Sequence, residues 1–155
     1  MRGLIYRVAK AICHFLEKPK PDVDPLHISS WKIKSELDAM RLNIWRGYTL
    51  DHFQDYYYVS AKDWAEVFSY IYFEFDMPSY IESRMDCDDF AILLKALVSY
   101  QFKLNCFGFV LGNTPMGYHA WNIFKTDNGW LQLEPQTGKF FELGEHGYEP
   151  EYIII

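Results

Sequence analysis

Apolar positions along the chain recur first at helical spacing and later in short, alternating runs. In RGLIYRVAKAICHFLEK, the residues Leu4, Ile5, Val8, Ile12, Phe15 and Leu16 share one side while Arg7, Lys10, His14 and Lys18 fall on the other, which predicts an amphipathic helix. Such a helix docks on the domain's own core, on a second subunit in a homo-oligomer, or on a membrane surface. KPKPDVDP, from Lys18 to Pro25, is an extended connector, so the chain divides into residues 1–25 and a single domain over residues 26–155. A helical pattern follows from Ser29 to Trp45 with Ser30 as a candidate N-cap. Another runs from Ala61 to Phe75, with Trp64, Val67, Phe68, Ile71 and Phe75 on one face and Pro78 beyond its end. RMDCDDFAILLKALVSY predicts a third helix from Cys87 to Tyr100, capped by Asp86 and almost wholly apolar beyond its first turn. After it come β-rich runs at Leu104–Leu111, Tyr118–Lys125, Trp130–Leu133 and Lys139–Leu143, separated by Asn113–Gly117, Asp127–Gly129 and Gln136–Gly138. Helices first and an antiparallel sheet second is the order of an α+β domain.

Composition narrows the class. At 155 residues, half of them hydrophobic and 19% aromatic, the chain can bury a substantial core. A formal charge of −6 argues against nucleic acid as a partner. The three cysteines Cys13, Cys87 and Cys106 form neither a disulfide scaffold nor a zinc motif, and no signal peptide or membrane-spanning run is present, so a reducing, cytoplasmic location is expected.

Cys87 is the residue with chemistry to explain. At the first position of a helix its sulfur meets the positive end of the peptide dipoles, which favours thiolate. Asp86, Asp88 and Asp89 oppose this, each by roughly 0.7 kcal/mol at about 6 Å in water, so a cationic partner is required. GYHAWNIF places His119 at the start of one strand and WLQLEP places Glu134 at the end of the next. If those strands pair through Asp127-Asn128-Gly129, the two side chains meet. The expected constellation is Cys87 as nucleophile, His119 as general base and acid, and Glu134 fixing the imidazole tautomer. The competing readings are a buried inert thiol, a core histidine and a surface carboxylate. Cys13 and Cys106 read as core.

DCDDFA around Cys87, HAW around His119 and WLQLEP around Glu134 together resemble, in the same order, the motifs of the transglutaminase-like superfamily. The first is most similar to the motif of bacterial transglutaminase-like cysteine proteinases. The resemblance covers roughly Tyr80 to Gly138, and where the family usually carries Asp this chain has Glu134. It implies a papain-like, transglutaminase-like fold with N-terminal helices and a central Cys-bearing helix packed on a C-terminal antiparallel sheet, and it makes residues 26–155 a catalytic domain. The implied activity is that of a cysteine-dependent amide or isopeptide hydrolase or peptidase, a thiol protease with a Cys-His-Glu catalytic triad and a protein or peptide substrate. The alternatives are a protein transglutaminase or deamidase and a catalytically inactive transglutaminase-like binding module. No cofactor is required on this reading. Calcium at Asp88 and Asp89 is weighed against simple helix capping, because two carboxylates do not specify a site of roughly six to eight oxygens. Tyr80 is a candidate second oxyanion donor beside the Cys87 backbone N–H, and Asn122 and Gln136 are the fallbacks for the third member.

Overall fold

A computed structural model describes residues 18–40 and 55–155. The helix expected over Met1–Leu16, with Cys13 and any membrane-surface contact, lies outside the described residues, as does the stretch beyond Met40 that was expected to continue a helix to Trp45.

The chain enters through the connector, where Lys18 Nζ donates to Ser69 Oγ, Lys20 Nζ donates to the Gln101 carbonyl, and Val23 packs on the core. Strand β1 (Leu26–Ser29) then pairs antiparallel with β2 (Asp55–Tyr58). Between them, helix α1 spans Ser30–Ala39, and its N-cap is Ser29 rather than Ser30: the Ser29 hydroxyl accepts from the Lys32 N–H at 3.3 Å. Helix α2 spans Ala61–Glu74 and is capped by Ser60, whose hydroxyl accepts from the Asp63 N–H at 3.1 Å. Helix α3 runs from Cys87 to Phe102 and ends on Lys103 in the left-handed conformation. At its start the Asp86 N–H donates to the Asp89 carboxylate at 3.3 Å, so Asp89 serves the cap.

Five strands follow: β3 (Phe107–Thr114), β4 (Gly117–Thr126), β5 (Gly129–Glu134), β6 (Lys139–Glu142) and β7 (Glu149–Ile154). They form one antiparallel sheet in the order β6-β5-β4-β3-β7. The expected division into a helical N-terminal part and a β C-terminal part is corrected here. A strand precedes α1, and the two-stranded sheet stands with α1 as part of the covering of the large sheet, whose five strands are the frame of the molecule. Four-residue strands such as β1 and β2 are too short to show an alternation that separates them from loop. Strand β7 was missed because Pro150 interrupts it, and a proline is tolerated there because β7 is an edge strand. Pro150 pairs with Gly112 beside a bulge. A Cβ at Gly112 would stand 2.2 Å from the Glu149 carbonyl oxygen and 2.8 Å from the Trp121 ring, so only glycine lets β7 and Trp121 approach.

Alternation along β4 separates two cores. Phe124 joins Phe107 and Leu133 beneath α2 and α3, whereas Trp121 and Ile123 join Val110, Trp130 and the α1 residues Ile33 and Leu37. A third, small cluster of Ala91, Phe109 and Ala120 receives Cys87. It fixes where the start of α3 meets the sheet.

Candidate functional site

The ends of α3, β4 and β5 meet at a cavity of about 500 Å³, whose lining includes Cys87, His119 and Glu134. Each arrives by a different route. Cys87 is the first residue of α3 and is held against Ala120 and Phe109. His119 leaves β4 beside Trp121, the two rings stacked at 6.2 Å between centroids. Glu134 is the last residue of β5.

Glu134 organises the site. Its Oε2 lies 2.7 Å from His119 Nε2 and accepts from the Tyr148 hydroxyl at 3.1 Å, and its Oε1 accepts from the Gln136 N–H at 3.2 Å. Tyr148 also sets its ring edge-on to both His119, at 6.1 Å, and Trp121, at 5.0 Å. Trp121 Nε1 donates to Gln132 Oε1 at 2.8 Å, and Gln132 Nε2 donates to the Glu142 carbonyl at 3.3 Å. The imidazole is thus gripped by a carboxylate and two rings, and the Tyr148 phenol is pushed up to about 12 by burial and by the Glu134 charge it faces.

Cys87 sits in a different field. Burial pushes its thiol up; hydrogen bonding from the Ala120 and Asp88 backbones pulls it down, while the Asp86 and Asp88 charges push it up further. On balance its pKa is raised above the ordinary thiol value, burial being the largest cause.

Of the other candidates, Tyr80 lines the cavity with its ring more than half exposed, as Tyr118 does, and Gln136 lines it too. Asn122 is elsewhere: fully buried, it donates to the Ala91 and Gly108 carbonyls at 2.9 and 3.0 Å. Cys106 is buried and inert, its thiol raised by burial. Asp86, Cys87 and Asp88 each place a possible ligand atom within 4.8 Å of the others, but two carboxylates and a sulfur fall short of an all-oxygen calcium shell, and Asp89 is engaged as a cap. Tyr148 was not foreseen. It stands beyond β6 in the turn GEHGYEP, where the one local signal is an aromatic residue among turn-forming glycines.

No family model and no curated protein matches the chain. Solved structures do match in fold. One is described as a PSL1a-E64 complex, with 21% identity and a TM-score of 0.68 over 84% of this chain. Another is Polyporus squamosus lectin bound to the human-type influenza-binding epitope Neu5Aca2-6Galb1-4GlcNAc, with 18% identity and a TM-score of 0.68 over 84% of this chain. The chain spans half the length of each.

This likeness corrects the expected family. One of these neighbours is described as a lectin, so the transglutaminase-like recognition and the papain-like fold built on it are replaced by the fold shared with these structures. The activities drawn from the resemblance fall with it: cysteine hydrolase or thiol protease, protein transglutaminase, and deamidase. The physical reason is the shortness of the motifs. DCDDFA, HAW and WLQLEP encode a capped helix start and two strand ends, which any helix laid against an antiparallel pair can supply. Among the described residues, no helix is long and apolar enough to cross a membrane.

Proposed function

We propose that residues 26–155 form a binding module whose cleft takes a carbohydrate, with residues 1–25 as an N-terminal segment leading into it. The observation that carries this reading is the lining itself, which combines the rings of Tyr80, Tyr118 and Tyr148 with the polar side chains of His119, Glu134 and Gln136. A pyranose ring has an apolar face of C–H groups and a rim of hydroxyls. It needs flat aromatic surfaces for the face and fixed acceptors and donors for the rim. Tyr80 and Tyr118 are exposed enough to offer their rings, while the bonds to Glu134 hold the polar group in place before any ligand arrives. Preorganisation of that kind lowers the entropic cost of binding. The likeness to a lectin supports the same reading, although the saccharide named with that structure is a ligand of that protein.

On this proposal Cys87, His119 and Glu134 act together as the wall and floor of the cleft. The raised thiol of Cys87 supports a contact surface rather than a nucleophile. No cofactor takes part.

A glycan array probed with the full chain, followed by calorimetric titration of the retained sugars, tests this. Tyr118→Ala is expected to weaken binding about tenfold with little change in stability, as loss of a stacking ring does. EDTA is expected to leave the affinity unchanged. Retention of no glycan above background would overturn the proposal. So would a stoichiometric adduct on Cys87, located by mass spectrometry after incubation with E64, the compound named with the first neighbour.

A further inference from the structure

Resting on the saccharide reading, we infer that the cleft takes an uncharged saccharide and discriminates against a sialylated one. The argument lies in the charges around the cavity. Among the described residues no lysine or arginine lines the cavity, so an anionic group entering it meets no fixed cation of that kind from them. The cation that His119 can form already has a carboxylate 2.7 Å away.

Negative charge, by contrast, lies in the lining and beside it. The Asp86 and Asp88 carboxylates lie within 4.8 Å of each other and of the Cys87 sulfur that forms part of the wall. They crowd closely enough that the Asp88 carboxyl, hydrogen-bonded to Asp86, is raised above its ordinary value. Glu134 forms part of the floor. Beside the lining residue Tyr118, Glu151 accepts from Asn113 Nδ2 at 2.8 Å and hydrogen-bonds the Tyr118 hydroxyl. One carboxylate, Glu134, therefore lines the cavity and three more stand beside its lining residues Cys87 and Tyr118, in a chain whose formal charge is already −6.

For a sugar hydroxyl this is a favourable environment, because each hydroxyl can donate to a carboxylate oxygen and present its own oxygen to water. A sialic acid carboxylate can only accept. It would surrender hydration on entry and gain repulsion in place of a partner.

Calorimetric titration of the full chain with Galb1-4GlcNAc and with Neu5Aca2-6Galb1-4GlcNAc, at low and at high salt, tests the inference. The neutral disaccharide is expected to bind about tenfold more tightly at low salt, with the difference shrinking at high salt as the carboxylate field is screened. Asp88→Asn, an exposed position that provides no cap, is expected to tighten the sialylated sugar and leave the neutral one unchanged. Equal or tighter binding of the sialylated sugar at low salt, competed by the disaccharide, would overturn the charge discrimination and leave the saccharide reading standing. Binding of neither sugar, together with no glycan retained on the array, would overturn both.

Discussion

Two groups of aromatic rings flank the middle strand β4, and they are built for different ends. Under α2 and α3, Trp64 and Phe68 stack at 5.2 Å, and Phe107 and Phe124 complete a dry cluster of fully buried rings with centroids 5.2 to 6.1 Å apart. Its one ring donor, Trp64 Nε1, is absorbed by the Lys125 carbonyl at 2.7 Å. On the other side His119, Trp121 and Tyr148 also pack ring to ring, but every ring carries a polar tip tied to Glu134 or Gln132. The first group converts aromatic area into stability. The second spends part of that stability on satisfying polar atoms and receives a fixed geometry in return, because a hydrogen-bonded tip cannot rotate without leaving a partner unpaired.

The largest effect should come from the dry side. Trp64→Ala is expected to cost about 3–5 kcal/mol in urea denaturation, since it opens a cavity among rings that have no room to collapse. A loss below about 1 kcal/mol would mean that this cluster is not the stabilising centre.

Lys95 probes the same side by pH. It is largely buried on α3, its Nζ donating to the Phe107 carbonyl at 2.5 Å, and burial pushes its pKa down to about 8 from 10.5. Below pH 8 both folded and unfolded chains hold the proton, and the fold bears the cost of a buried charge. Between pH 8 and 10.5 the unfolded chain holds more protons than the folded one, so this residue's contribution to stability rises with pH. Relative to Lys95→Met, the wild type should therefore gain up to about 3 kcal/mol across that window. Parallel stability curves for the two proteins would show that Lys95 titrates alike in both states.

The smallest effect on stability, and the most telling for the site, belongs to Tyr148→Phe. It keeps the ring contacts and removes the hydroxyl that Glu134 accepts, so about 1 kcal/mol of stability should be lost. Saccharide affinity should fall as the His119–Glu134 pair loosens. An affinity equal to the wild type's would place Tyr148 in the packing alone and erase the distinction between the two ring groups.

Much of the local structure was legible. The 3.6-residue spacing of Trp64, Val67, Phe68 and Ile71 located α2. The cap signals around Asp86 placed Cys87 at the first residue of α3, and turn residues separated β4 from β5. Each of these features is decided by residues within one or two turns of chain. The expected start of the first β-rich run at Leu104 was early: β3 begins at Phe107, because α3 continues to Phe102 and the chain must reverse through Lys103 before it can pair.

What the sequence by itself determined, then, is local: which stretches coil or extend, where they stop, and that a cysteine, a histidine and a glutamate stand at their ends. Only the tertiary structure decided what those ends enclose. The bonds that seat Glu134 depend on the register of β4 with β5 and on a turn that returns Tyr148 from 14 residues further along. The approach of β7 depends on the missing side chain of Gly112, and the field around Cys87 depends on how far the Ala91, Phe109 and Ala120 cluster buries it. Those are sums over many distant contacts. A three-residue motif reads the same whether it closes a catalytic pair or the wall of a binding cleft, because the dielectric and the charges that separate the two come from the rest of the fold.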